Sequence, residues 1–331
     1  MSQPEFRFNP TTSLASLRRR SQFLGEIRRF FDDREFIHVE TPLLSRDTVV
    51  DRYIEPVVVD ESSVLEGDGA DRQFFLQTSP EFAMKRLLAS GATAIYQICK
   101  AFRKGEAGRR HNPEFTMLEW YRVGDDMNAG MELLSDFAKH MFQAQDVEQI
   151  SYANAFRKFA SVDPATASID EFKMTCESNR IDVSSFENDC DRDSWLNLIM
   201  SEIVEPRLGL VNPVIVFHFP PTQSALAKVC VDGEGDEVAE RFELYVNGVE
   251  LANGYHELLD ANELERRNEK VNLQRVSDGC SPLPTDSELL EAMRHGLPAC
   301  SGVALGVDRL LMVLLEKESI GDVIAFPIDR A

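Results

Sequence analysis

FRKGEAGRRHNPEFTMLEWYR, residues Phe102–Arg122, decides both the fold and the chemistry of this chain. Arg103, Lys104, Arg109, Arg110 and His111 form a basic cluster in a Gly-containing loop, and an alternating run follows from Glu114 to Tyr121. Side chains alternate across a strand with period two, so this run predicts a strand with Phe115, Met117, Glu119 and Tyr121 on one face. The preceding run AIYQICKAF, Ala94 to Phe102, is rich in strand formers. Together they predict a long hairpin with a mobile cationic tip and a far strand ending in a carboxylate and a phenol. Such a device can clamp a polyphosphate at one end and hold an ammonium at the other.

Upstream, LASLRRRSQFLGEIRRFFDDREF, Leu14 to Phe36, spaces apolar residues as a helix does. A short strand from Ile37 to Glu40 then meets Thr41-Pro42, where proline cannot donate to a ladder. The acidic segment from Asp60 to Asp71 reads as a surface loop, and Gln73 to Gln77 as a strand. Ser79-Pro80-Glu81 supplies an N-cap and a first-turn proline for a helix from Glu81 to Ala89.

Downstream, a helix is expected from Met127 to Gln145, then a mainly helical, acidic insertion at about 151–210. Strands return at Val214 to Phe219 and Val238 to Val246, and Asn247-Gly248 marks a tight turn into Val249–Ala252. Helices near Asp260–Val276 and Ser287–Arg294 precede a small-residue strand, Gly302–Leu305, and a helix from Val307 to Glu316. Hairpin-joined strands with helices before and after favour an antiparallel sheet in an α+β domain. Neither GxxxxGK[ST] nor GxGxxG is present, so a nucleotide must be held by side chains on a sheet.

Composition narrows the class. The 331 residues contain no run long enough for a membrane span and no secretion signal at the N-terminus. Six cysteines without CxxC pairs point to a reduced, cytoplasmic protein. A net charge of −21, from 35 basic and 56 acidic residues, argues against stable binding of nucleic acid.

Glu243, Glu250 and Glu257 recur every seven residues, and Glu243 and Glu250 flank the Asn247-Gly248 turn. Strand pairing there brings two carboxylates together. They then raise one another's pKa, recruit a hard cation such as Mg²⁺, or stand as ordinary surface acids. Arg309 opens a helix, where backbone N–H groups and the guanidinium make an anion site, unless it is a plain surface arginine.

In combination, the strand ending at Pro42, the FR…RHNPEFTMLEWY hairpin, ELANGYHEL and GVALGVDR resemble the three ordered motifs of class II aminoacyl-tRNA synthetases, lysyl branch, from about Leu17 to Ala331. The resemblance implies a single catalytic domain over residues 1–331, with an antiparallel sheet flanked by helices. Arg103 matches the arginine on the α-phosphate, and Arg309 the one facing the γ-phosphate. Both are implied to be catalytic. His111, Asn112 and Phe115 match residues that close on ATP, Phe115 by stacking on adenine. Gly306 lets the nucleotide approach its strand. Glu243 and Glu250 match the Mg²⁺ ligands, and Leu251 and Asn253 line the ATP and amino-acid site. Tyr121 and Glu257 match the pair that holds a lysine ε-ammonium, and Glu81 of Ser79-Pro80-Glu81 meets the other amino group.

Too few residues precede Leu17 for the anticodon-binding barrel of a lysyl-tRNA synthetase. The chain instead resembles the truncated lysyl-synthetase paralogues that modify translation elongation factor P. That resemblance implies ATP and Mg²⁺ dependence and activation of (R)-β-lysine or lysine as an adenylate. The acceptor is then a lysine side chain of elongation factor P. It also implies a homodimer built on the first helix and strand. Alternatives are a stand-alone tRNA aminoacylase, a ligase with a small-molecule acceptor, and a non-catalytic regulatory paralogue. Ala304 stands where lysyl synthetases typically have Gly, and its methyl narrows the amino-group pocket in favour of a β-amino acid, or is a packing variant. After Arg103 the usual Asn-Glu is replaced by Lys104-Gly105, with Glu106 one place later.

Overall fold

A computed structural model describes residues 8–65, 73–184, 186 and 191–331. Cys190 and most of the expected acidic loop beyond Leu65 lie outside the described residues. The chain forms two compact units, one from residues 1–124 and 258–331 and the other from 125–257.

In the first unit, α1 (Leu14–Asp32) starts at Ser13, whose hydroxyl accepts the Ser16 N–H. It ends before the expected Phe36 because Glu35 adopts φ 59° and turns the Phe36 N–H back onto the Phe31 carbonyl at 3.1 Å. Phe31 stacks on Tyr96 at 4.9 Å and touches Phe36 and Trp120, forming an aromatic core. After β1 (Ile37–His38), a small antiparallel sheet is made from β2 (Leu44–Ser45), β3 (Val57–Asp60) and β4 (Gln73–Leu76). Then come α2 (Glu81–Ala89), β5 (Ala94–Phe102) and β6 (Glu114–Val123), the expected hairpin.

The second unit holds α3 (Met127–Phe142), β7 (Glu148–Ser151), α4 (Tyr152–Ala160), α5 (Ile169–Ser178), α6 (Arg192–Ile199), β8 (Val214–Phe219), β9 (Val229–Val231), β10 (Glu237–Val246) and β11 (Val249–His256). The segment 151–210 is mainly helical, as expected, and buries Tyr152, Phe156, Phe172 and Trp195 in one core with Phe219 and Tyr245. Asn247 and Gly248 both have positive φ, 52° and 66°, which is the tight turn their sequence predicts.

Back in the first unit follow α7 (Ala261–Ser277), α8 (Glu288–Gly296), β12 (Cys300–Gly306) and α9 (Val307–Leu314). β5–β6 and β6–β12 are antiparallel, as are β8–β10, β9–β10 and β10–β11. The sheets are thus mainly antiparallel and carry helices, which is the α+β class. Two pairs depart from the expected pattern: β1–β5 and β7–β8 run parallel. In each case a helix-containing connection, not a tight turn, returns the chain to the same end of the sheet.

Candidate active site

Register fixes one working face of the first unit. Glu119 lies between Gln97 on β5 and Ala304 on β12, and Tyr121 between Ile95 and Gly302. Met117 faces Gly306, and Phe115 faces Ala101. The period-two reading of Phe115, Met117, Glu119 and Tyr121 therefore holds, and the Ala304 methyl stands directly beside Glu119.

At the Tyr121 end, Glu119 is buried at 1 % exposure. The Tyr121 phenol donates to its Oε1 at 2.6 Å and the Ser79 hydroxyl to its Oε2 at 2.8 Å. Burial, and then the nearby Glu81 carboxylate, pushes the Glu119 pKa up to about 8, against the pull of these donors and of Lys85. Glu81 in turn accepts the buried Lys85 ammonium at 2.6 Å. Ser79 does not occupy the cap position; Pro80 does, without a side-chain cap bond. The Ser79 hydroxyl still accepts the Glu81 N–H at 3.1 Å, which leaves its proton for Glu119. Cys99 shares this face but is inert, its pKa pushed up to about 12 by burial and then by Glu119.

The hairpin tip is tied to neighbouring segments at several points. The Lys104 N–H donates to the Glu55 carbonyl at 2.8 Å, and Arg109 pairs with Glu318 at 2.6 Å. Asn112 uses its amide N–H on the Glu114 carbonyl and its oxygen on the Ile328 N–H, so both its groups serve the loop. The Arg309 guanidinium donates to Nε2 of His111, and burial followed by that same cation lowers the His111 pKa. The Arg103 guanidinium lies 5.1 Å from the Phe115 ring centroid and 3.7 Å from Glu106. Its buried Nε has no hydrogen-bond partner among the described residues. Glu106 is thus the acid nearest Arg103 in the departing loop.

Arg309 sits in the first turn of α9, whose cap is Gly306, without a side-chain cap bond. A Cβ on Gly306 would meet only the Arg309 side chain, at 3.8 Å, so the protein itself leaves room there. The preceding Asp308 is buried. It accepts Arg20 of α1 on one oxygen and the Thr116 N–H at 2.7 Å on the other, while Arg20 also donates to the Thr116 hydroxyl. This knot fixes the strand carrying Phe115 against the helix carrying Arg309. No sequence pattern pointed to Arg20, Thr116 or Asp308. Lys85 was equally hidden as a functional group, because a helical lysine usually faces solvent, whereas Glu119 was legible as the carboxylate beside Tyr121.

In the second unit, the β10–β11 register puts Asn253 opposite Glu243 and Glu250 opposite Tyr245, with Leu251 as the extra residue of a bulge. Arg241, Glu243, Tyr245, Glu250 and Asn253 therefore share a face. Arg241 donates to one oxygen of Glu243 and the Tyr245 phenol to the other. Burial, with Glu250 adding to it and Arg241 opposing, raises the Glu243 pKa. Glu257 is buried and forms an isolated bridge with Ala227.

Mg²⁺ takes one or two carboxylates and completes its shell with water and substrate phosphates. Glu243 and Glu250 on one hairpin face fit that need. The buried Asn253 oxygen beside them has no hydrogen-bond partner among the described residues, as expected of a group awaiting a ligand. No group of three or more metal-ligating side chains occurs among the described residues.

Glu119 and Tyr121 thus stand at one end of this sheet face and Phe115 at the other, with Arg103 in the loop and Arg309 on α9 beyond it. The family of class II tRNA synthetases (D, K and N) matches residues 7–330, and the chain belongs to it. Within that family it is 44 % identical over 325 residues to the elongation factor P–(R)-β-lysine ligase of Salmonella paratyphi B, covering 98 % of each chain. Proteins of the same name from Salmonella schwarzengrund and Salmonella heidelberg match to the same extent, 44 % over 98 % of each chain.

Proposed function

We propose that this protein is an ATP-dependent ligase that activates (R)-β-lysine, or lysine, as an aminoacyl adenylate and passes it to a lysine side chain of translation elongation factor P. The observation that carries this reading is the 44 % identity, along 98 % of both chains, to ligases of that name. We read residues 1–331 as one catalytic domain, since the family match runs through both units without a break.

In the first step the substrate carboxylate attacks the α-phosphorus, the bond to the β-phosphate oxygen breaks, and pyrophosphate leaves. The carboxylate is already ionised at neutral pH, so the step calls for charge neutralisation and alignment rather than a base. Arg103 is assigned to the α-phosphate, Arg309 to the γ-phosphate, Phe115 to the adenine, and His111, Asn112, Leu251 and Gly306 to the rest of the ATP contacts. Glu243 and Glu250 would hold Mg²⁺, which when bound supplies positive charge to the phosphates. Glu81, Tyr121, Asn253 and Glu257 are assigned to the substrate amines and Ala304 to the shape of their pocket, with Ser79 and Pro80 placing Glu81. In the second step the acceptor amine attacks the adenylate carbonyl, AMP leaves, and the amine gives up a proton.

The protein is placed in the cytoplasm, where the free thiols of Cys99, Cys176, Cys230 and Cys280 stay reduced. No described helix is long and apolar enough to cross a membrane. A homodimer is proposed on the first helix and strand, near which Leu14 and Ile37 expose apolar side chains. Amino-acid-dependent ATP–pyrophosphate exchange with (R)-β-lysine, followed by labelling of purified elongation factor P and, separately, of tRNA, tests the reading. Label on tRNA alone would reverse it.

A further inference from the structure

Lys85 has no part in the assignments above, yet its side chain is 1 % exposed and its ammonium lies 2.6 Å from Glu81 Oε1. Burying an ammonium is costly unless it is paired, so its place beside two carboxylates needs a reason beyond packing. Helical geometry provides the contact. Glu81 and Lys85 are four residues apart on α2, with the acid on the N-terminal side, the favourable order. The ammonium also lies 6.0 Å from the Tyr121 ring centroid, and its charge acts on Glu119.

We propose that Lys85 is a positioning residue that sets the charge of the amine pocket. Its ammonium holds one oxygen of Glu81 and leaves the ionised Glu81–Glu119 pair with a net charge of minus one, matched to a single substrate ammonium. The inference rests on the amino-acid-activating reading given above. Without Lys85, two buried acids face each other with no ammonium on Glu81, and Glu119 then holds its proton more tightly because the Glu81 charge beside it is no longer offset. With it, Glu81 is oriented by one oxygen and the Glu119 proton is easier to displace when an amine arrives.

Among the described residues, these charged and titratable groups face the cluster. β6 contributes Glu119 and Tyr121, β5 contributes Cys99, and α2 contributes Glu81 and Lys85. α8, which packs on α2, buries Leu289, Leu290 and Met293, while its Glu288, Glu291, Arg294 and His295 are exposed. The exposed charges are therefore not substitutes for Lys85.

The test compares wild type with Lys85→Met and Lys85→Arg. Carbon-13 NMR of glutamate-labelled free protein reads the Glu119 titration. Loss of an opposite charge should move it up by about one to three pH units in Lys85→Met, and Lys85→Arg should restore it. In ATP–pyrophosphate exchange, the KM for the amino acid should rise roughly tenfold or more in Lys85→Met, while the KM for ATP stays within about twofold. A folded Lys85→Met protein with an unchanged Glu119 titration and an unchanged amino-acid KM overturns the inference. If Lys85→Met does not fold, nitrogen-15 NMR of lysine-labelled wild type decides. A water-protected ammonium that shifts on adding (R)-β-lysine supports the inference, and an unprotected, unresponsive one refutes it. A shifted Glu119 titration in a protein whose wild type shows no exchange would sustain the charge coupling and sink the assigned function instead.

Discussion

Replacing Glu119 by Gln separates the charge of this residue from its shape. In the free protein Glu119 titrates at about 8, so near neutrality it is mostly an uncharged acid bonded to Ser79 and Tyr121. Gln reproduces that state, so below about pH 4.5, where the acid is protonated in both the folded and the unfolded chain, the two proteins should differ by less than about 1 kcal/mol, and towards neutrality the variant should become the more stable one. Binding of an ammonium requires the ionised form. Truncating one partner of a buried charged pair costs about 3 kcal/mol, roughly a 150-fold rise in KM once Glu119 is fully ionised.

Below its pKa, wild type must first release a proton, at about 1.4 kcal/mol per pH unit. The wild-type KM for the amino acid should therefore fall roughly twentyfold between about pH 6.5 and about pH 8.5, whereas that of Glu119→Gln stays flat. The penalty is then roughly fivefold at the lower pH and roughly a hundredfold at the higher. Stability runs the opposite way. A folded pKa of about 8 against an ordinary value of 4.5 means that the contribution of Glu119 is complete below 4.5 and lost as pH rises through 8. Glu119→Gln should remove that slope from a denaturation series. ATP–pyrophosphate exchange at several pH values measures the first effect and urea unfolding the second. An amino-acid KM within about threefold of wild type at both ends of the pH range refutes Glu119 as the counter-ion of the amine.

Three further outcomes follow from the geometry. Arg309→Ala should lower adenylate formation by roughly a hundredfold or more, with an unchanged circular dichroism spectrum and melting temperature, because the arginine's bonds to the Arg110 carbonyl and to His111 are exposed. Asp308→Ala removes the acid that joins Arg20 to the Thr116 N–H and should cost about 3–5 kcal/mol in urea denaturation. Ala304→Gly clears the methyl beside Glu119 and should improve kcat/KM for α-lysine relative to β-lysine by roughly tenfold, measured in the exchange assay.

The hairpin, the Asn247-Gly248 turn and the face shared by Phe115, Met117, Glu119 and Tyr121 were all legible in the sequence. Each depends on local periodicity or on a backbone conformation that few residues tolerate. What stayed hidden is contact between distant segments. Arg20 reaches Asp308 and Asn112 reaches Ile328 across most of the chain, and no local pattern encodes such partners. Charge state was hidden for the same reason. Glu119 is an unremarkable strand acid until Glu81 and Lys85 are folded against it. The end of α1 was misplaced because Glu35 takes a left-handed conformation that its residue type does not announce.

The fastening of the hairpin tip has an entropic consequence. Residues 103–113 would otherwise form a free loop, ordered only when a nucleotide arrived. Arg109, His111 and Asn112 instead divide it into short arcs pinned to Glu318, Arg309 and Ile328. Short arcs have little conformational freedom left to lose. Whatever ordering these contacts supply during folding is not charged against nucleotide binding, and leaves more of the binding energy of ATP for aligning its phosphates.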